Sequence, residues 1–481
     1  MIPAADELLV TPGAHMRERS RAANRILGLL DDTFLSPVAL AYPRRYYIAL
    51  SLLCDIECPH CPRQYYPRLL DHGFMRAEGL ERVYPYLRYA EFVGLFGLGE
   101  PFLHPNFFSI LRQVKTVGAW AATSTHGMSL TAEVCERIIA EGLDELEVSI
   151  DGASPETFDV LRQGAKFETV VDNVRRLQDI KRARGVAKPR VNIPCTISRR
   201  NVDEMDAMVR LAADFGADQL IFTDLIVIDP RQAQESVAGT PRFRERLKQA
   251  LELAASRGLN AVYAPQKPFP WLLDFDGGRE SHLGGTDAIH GCRSAWGELN
   301  IERQGAVKPC CYLEGPFGNA FDTGLGDLIN GPSQLRLRKA MTSGRLWKEC
   351  RGCGRLLRLG WDHVERKLQE AQAALNAAPD SRPGSENAVF QEAPAQAPPD
   401  HVPAARQGAL YGASSNSDQW ASGGTHRDNG HDTGSSAAPW ALYPGERAIL
   451  ADYISRYRAL AELRRNDAAP PTHGPDGAAS L

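Results

Sequence analysis

Cys54, Cys58 and Cys61 stand together as C-x-x-x-C-x-x-C, directly after an apolar run from Tyr46 to Leu53 that predicts a strand. Three thiolates on one loop can ligate three irons of a four-iron cluster and leave the fourth iron without a protein ligand. At the C-terminal end of a strand in a βα architecture, where active sites normally sit, such an iron can chelate a small molecule and pass it an electron. The competing occupant is zinc, whose structural sites want four ligands and commonly take two short pairs. His60 is the candidate fourth ligand, but between Cys58 and Cys61 it is poorly placed to complete a tetrahedron.

A second group follows far downstream. Cys292, Gly305 and Cys310 form C-x12-G-x4-C, and Cys350 with Cys353 forms C-x-x-C forty residues further on. Four thiolates in two separated pairs would close a metal site, and spacing alone leaves zinc and an iron-sulfur cluster open. Cys195 shares a strand face with Val191, Ile193 and Ile197, and Cys135 shares a helix face with Ile138 and Ile139, which predicts packing for both.

The elements that must position these groups alternate regularly. Strand candidates at Tyr46 to Leu53, Ala90 to Phe96, Ala119 to Thr125, Leu143 to Ile150, Arg190 to Ile197, Asp218 to Thr223 and Gly258 to Ala264 are separated by amphipathic helical stretches. Ser154 with Pro155 opens one helix, and Gly142 and Gly216 close two others. Right-handed crossovers make such a sheet parallel. On the fourth strand Leu146, Val148 and Ile150 face the helices, leaving Glu147, Ser149 and Asp151 for a barrel lumen.

The chain therefore divides into an N-terminal extension over 1–45, a partial barrel over 46–285 and a cysteine-rich module over 286–361. A helix over 362–376, within which His363 to Leu375 carries the periodicity, precedes a disordered linker over 377–440 rich in Ala, Pro, Gly and Ser. The last segment, 441–481, holds a helix from Glu446 to Arg465 with Ile449, Tyr453, Tyr457 and Leu460 on one face, docked on the chain's own barrel or offered to a partner.

Composition narrows the setting. With 481 residues and 43% hydrophobic content the chain can fill a large core, and its net charge of -4 leaves no electrostatic footprint for nucleic acid or an anionic membrane. The N-terminus lacks a signal-peptide pattern, no stretch approaches a membrane span, and ten cysteines are too few for a disulfide scaffold of this length. A cytoplasmic protein is expected, in a compartment that keeps thiols available as ligands.

From about residue 46 to 360 the sequence resembles the radical S-adenosylmethionine (SAM) superfamily. The cysteine triad carries the resemblance, with His60 where an aromatic residue commonly precedes the third cysteine. Gly97, Leu98, Gly99, Glu100 and Pro101 resemble the Gly-Gly-Glu-Pro stretch that binds the methionyl amine of SAM. Glycines there let backbone carbonyls approach an ammonium closely. Thr125, His126 and Gly127 stand where relatives carry Thr-Asn-Gly, so His126 replaces the Asn. Ser149 to Gly152 match the fourth-strand end near the SAM ribose, with Ser149 and Asp151 as the contacts implied. Arg162 lies in a Leu-Arg-Gln-Gly stretch resembling the segment that supplies a cation near the SAM carboxylate, and Asn192 falls on the lumen side of strand five. The downstream cysteines resemble the SPASM module, and their ending at Cys353 resembles its shortened one-cluster form, called twitch.

The resemblance implies an α/β fold: a partial (β/α)6-type TIM barrel, a SPASM/twitch module and a largely disordered C-terminal tail. It implies a SAM-binding [4Fe-4S] cluster on Cys54, Cys58 and Cys61, SAM itself, and an auxiliary [4Fe-4S] cluster on Cys292, Cys310, Cys350 and Cys353 with no open iron. Cys311 is then a residue behind the ligands, an alternative ligand or a hydrogen donor to a substrate radical, the first being favoured. The expected chemistry is reductive cleavage of SAM to a 5′-deoxyadenosyl radical and hydrogen abstraction from a substrate, with the auxiliary cluster accepting an electron and a flavodoxin or ferredoxin as reductant. The substrate expected is a small polar natural-product intermediate such as a sugar or aminocyclitol. A ribosomally made peptide is the alternative, although the first 45 residues are short for a leader-binding domain. A non-catalytic iron-sulfur scaffold is the third reading.

Overall fold

Apolar strand runs joined by helical crossovers leave the sheet little choice but to be parallel. The computed structural model describes residues 19–65, 73–227, 229–264, 289–313, 315, 317–350, 353, 356–380 and 441–467. Seven parallel strands follow one another in chain order: β1 (Arg45–Ile48), β2 (Phe92–Gly94), β3 (Trp120–Thr125), β4 (Glu145–Val148), β5 (Arg190–Ile197), β6 (Gln219–Asp224) and β7 (Ala261–Ala264). Helices cross over between them as in a partial TIM barrel. Ser154 caps the helix Pro155–Leu161 by accepting from the Thr157 amide, and Gly216 ends the helix Met205–Phe215 in the left-handed conformation.

The cysteine-rich segment contributes β8 (Ile289–Gly291), β9 (Glu298–Ile301), β10 (Val307–Lys308) and β11 (Leu357–Leu359). β9 lies parallel to β1 with Arg45 opposite Glu298, and β10 runs antiparallel to β9, so the main sheet reads β10-β9-β1-β2-β3-β4-β5-β6-β7. This covers the edge that β1 would otherwise expose. β8 and β11 form a separate antiparallel pair.

Strand β1 is shorter than its apolar run. Beyond Ile48 the backbone turns away from β2: the Met75 amide donates to the Leu50 carbonyl at 2.8 Å and the Leu52 amide to the Gly73 carbonyl at 3.1 Å. The end of the run thus pairs with this segment, through the bridge between Ser51 and Phe74, and not with β2.

Three helices distant in sequence share a second core. Ile26, Leu27 and Leu30 of the helix Arg21–Asp31 pack with Val364 and Leu368 of Trp361–Ala377 and with Leu450, Ile454 and Tyr457 of Glu446–Asp467. The Glu446 carboxylate accepts from the Ser20 amide at 2.8 Å and the Ser20 hydroxyl at 2.6 Å, joining the two ends of the described chain. The last helix thus docks on its own chain, on these two helices. Its buried face differs from the sequence expectation, since Ile449 is 40% exposed and Tyr453 half-buried while Leu450 and Ile454 are buried. Periodicity through Tyr457 and Leu460 admits either neighbour, and the two receiving helices decide between them. The 377–440 linker, from residue 381 on, lies outside the described residues.

This burial makes a test. Ile454→Ala should cost about 2–4 kcal/mol by chemical denaturation, whereas Ile449→Ala should stay within about 0.5 kcal/mol. Equal losses would contradict the observed docking face.

Candidate active site

The loop after β1 brings the first three cysteines to the C-terminal end of the parallel strands. Cys58 and Cys61 are buried and Cys54 half-buried, and the Cys61 amide donates to the Cys58 carbonyl at 3.0 Å. Two other segments hold this loop: the Glu57 amide donates to the Gln163 carbonyl at 2.6 Å and the Glu100 amide to the Leu53 carbonyl at 2.7 Å. The glycine stretch and the Leu-Arg-Gln-Gly stretch therefore meet the cysteines directly.

All three thiols line one cavity of about 160 Å³. Gly97, Gly99, Glu100, Ser149, Arg162 and His60 line it as well. It is bounded too by Phe96, Ser124, Glu147, Thr196 and Thr223. Sequence reasoning did not single out Phe96, Ser124, Thr196 or Thr223, although each sits near the C-terminal end of a strand. Strand parity with Glu147 could have found the β-strand hydroxyls, but only once the register between strands is known.

Polar networks fix the walls. Asp151, fully buried, accepts from Arg162 Nε at 2.5 Å and from the Thr196 amide at 2.7 Å, and its Oδ2 lies 3.3 Å from His60 Nε2. Burial alone would raise the Asp151 carboxyl, but Arg162, His60 and the Thr196 amide outweigh it and hold the acid well below the usual carboxylate range. Arg162 in turn places Nη1 4.0 Å from the Cys58 sulfur. His60 is thus turned toward Asp151, and Asp151 positions Arg162 and His60 from behind the cavity wall.

His126, in place of the family's Asn, bridges two loops. Its Nε2 lies 2.7 Å from Asp55 Oδ1, in the cysteine loop, and 3.2 Å from Glu100 Oε2. Burial opposes a charged ring, but Glu100 and Asp55 together raise its pKa above the ordinary value. Glu100 also accepts from the Thr125 hydroxyl at 2.8 Å and the His126 amide at 3.1 Å, so both carboxylate oxygens are engaged within the protein. Pro101 opens the short turn Pro101–Leu103 outside the cavity lining. Asn192 stands opposite Glu147 on β5 but is not among the cavity's lining residues, and it donates to Glu145 at 3.0 Å; the lining residues of that strand are Pro194 and Thr196.

The donor set fits an iron-sulfur cluster. No disulfide joins the cysteines, and burial pushes the Cys54 thiol up to about 12 and raises Cys58 and Cys61 too, so the thiolates need positive charge supplied by a bound metal centre. Arg63, 1% exposed, donates Nη1 to the Leu52 carbonyl but leaves Nε and Nη2 buried without a partner. Such orphaned donors suit the sulfurs of a cluster held by this loop.

The second group also converges. Cys292, Cys310, Cys350 and Cys353 line a single small, apolar pocket, and burial pushes the Cys350 thiol up to about 12, with Cys292 and Cys353 adding to it. Cys311 is exposed and is not among that pocket's lining residues. Cys195 and Cys135 are buried in the core, as their faces predict.

A parallel βα sheet whose strand ends collect three thiols, a glycine loop and a charged clamp, followed by a four-thiol pocket, presents two thiol-rich sites fit to hold metal centres. Residues 48–212 match the model of the radical SAM superfamily, and residues 292–354 match SPASM, an iron-sulfur cluster-binding domain. The chain thus carries a radical SAM domain followed by a SPASM domain, and these domains imply SAM and [4Fe-4S] clusters as cofactors.

Among curated proteins it is 24% identical to the tungsten-containing aldehyde ferredoxin oxidoreductase cofactor-modifying protein of Pyrococcus furiosus, over 40% of this chain and 54% of that one. It is 30% identical to the mycofactocin maturase of Mycobacterium tuberculosis, over 35% and 41%, and 26% identical to the AdoMet-dependent heme synthase of Methanosarcina barkeri, over 58% and 79%. The chain thus spans about half the length of the first two of these relatives. Among solved structures, Streptococcus suis SuiB aligns with a TM-score of 0.48 at 13% identity, covering 62% of this chain and 68% of that one. Among the described residues no helix is long and apolar enough to cross a membrane.

Proposed function

We propose that this chain is an enzyme that cleaves SAM reductively and abstracts hydrogen from a small polar natural-product intermediate, sugar-like or aminocyclitol-like, in the cytoplasm. The observation that carries the reading is that the three thiols, the Gly97–Gly99 loop and Arg162 share one cavity with Ser124, Glu147, Thr196 and Thr223. When bound, the cofactors supply a 5′-deoxyadenosyl radical at the first site and an electron-transfer centre at the second, which suits net oxidation of the substrate. The chain's own contribution is placement. Gly97 and Gly99 give the methionyl end of SAM close access to backbone, Arg162 held by Asp151 offers a fixed cation for a carboxylate, and Ser149 offers a hydroxyl on the ribose side. The strand hydroxyls and Glu147 face whatever occupies the remaining space. A flavodoxin or ferredoxin is the expected reductant.

Anaerobic reconstitution with SAM and a low-potential reductant should yield 5′-deoxyadenosine. If no reductant gives SAM cleavage, the enzyme reading falls and the scaffold reading takes its place. A peptide substrate is the second reading, favoured by the 30% identity with a mycofactocin maturase. Tight binding of a candidate precursor peptide would replace the small-molecule reading with it.

The two sites can be separated. Cys350→Ala should remove about four irons of a total near eight. A single zinc in place of those irons would assign the downstream pocket to structural zinc.

A further inference from the structure

Glu147 is the acid of the cavity that the cofactor sites leave unused. It lines the cavity and is 9% exposed, with a hydrogen bond from Ser124. Among the described residues no cation answers it, whereas the other charges nearby are matched. Arg162 is held by Asp151, His126 by Asp55 and Glu100, and Glu145, two residues below on β4, by Arg190 and Arg45.

Beside Glu147 in the β4–β5 register stands Asn192, which is 3% exposed. Its amide nitrogen is spent on Glu145, and its Oδ1 is a buried acceptor without a partner. Phe96 forms another wall of the same cavity, its ring 5.8 Å from that of Tyr47. Of the groups that line the cavity here, the Glu147 carboxyl and the Phe96 ring both offer negative potential, and neither offers a donor beyond an acid proton. A neutral hydroxyl would satisfy one of these groups, while an ammonium brings three donors and a positive charge to both.

We propose that this part of the cavity is an ammonium-recognition site, where Glu147 and the Phe96 ring receive the protonated amine of the substrate. This rests on the cavity being the substrate site and narrows the substrate class to amines. Burial, with Glu145 nearby, pushes the Glu147 carboxyl up to about 8, so an arriving cation stabilises the charged form that burial disfavours.

The test is calorimetric binding to the cluster-loaded, SAM-bound full chain near neutral pH, with cyclohexylamine and cyclohexanol as probes matched in shape. The amine should bind at least about tenfold more tightly than the alcohol. Glu147→Gln should weaken the amine by about tenfold and leave the alcohol within about twofold. Equal affinities of the wild-type protein for both probes would overturn the proposal without any variant having to fold. So would an unchanged amine affinity in Glu147→Gln whose iron content matches the wild type. Failure to form 5′-deoxyadenosine would instead strike the radical SAM reading, because this binding is measured without turnover.

Discussion

Replacing Cys54 with alanine is expected to remove about four irons from the protein and to lower 5′-deoxyadenosine formation by at least about a thousandfold, a barrier increase on the order of 4 kcal/mol. The effect is large because the two neighbouring histidines are engaged elsewhere. His60 is turned toward Asp151, and His126 is held between Asp55 and Glu100, so neither nitrogen stands ready to replace a lost thiolate. Two thiols would remain in a buried loop where the thiolate form is disfavoured. Iron and sulfide analysis reads the cluster, and chromatography of the nucleoside reads the chemistry. Iron content equal to the wild type would show that Cys54 is not a ligand and would undo the assignment of the loop.

Gly99→Ala should be nearly as damaging by a different route. A Cβ at position 99 would lie 2.2 Å from the Leu53 carbonyl oxygen and 2.8 Å from that of Ser51. Both contacts are to backbone, which cannot swing aside as a side chain could, and the Leu53 carbonyl is already the acceptor for the Glu100 amide at 2.7 Å. The glycine loop must therefore lift off the cysteine loop. The cost expected is about 1–3 kcal/mol of stability, measured by denaturation, together with loss of SAM affinity of about tenfold or more. If SAM binds to Gly99→Ala as it does to the wild type, close contact between the two loops is not what shapes the site.

Both predictions turn on residues that local sequence makes conspicuous, and this is where the sequence was most legible. Closely spaced thiols and paired glycines do a job set by covalent spacing and backbone freedom, which need no knowledge of the fold. The βα order was legible for a similar reason, since a strand buried on both faces must be apolar throughout and its helix must be amphipathic. The lumen face of β4 followed from a period of two, and Glu147 and Ser149 do line the cavity.

What local pattern cannot carry is the identity of a neighbour across the fold. The run through Leu53 looks like strand, but residues beyond Ile48 meet the Gly73 to Met75 segment instead of β2. Asn192 stands opposite Glu147 yet does not line the cavity, because its amide is turned to Glu145, a partner that only the pairing of the strands supplies.

The sequence by itself carried the chemistry to expect: three thiols able to leave an iron open, four able to close a second site, and a glycine stretch that resembles one binding SAM. Tertiary structure decided the rest. It joined β9 to β1, built a second core from helices at both ends of the chain, chose Leu450 over Ile449, and set Asn192 opposite a Glu147 that no cation answers among the described residues. The physical reason is that ligand type is a property of single residues, whereas burial, register and charge balance exist only between segments that meet in space.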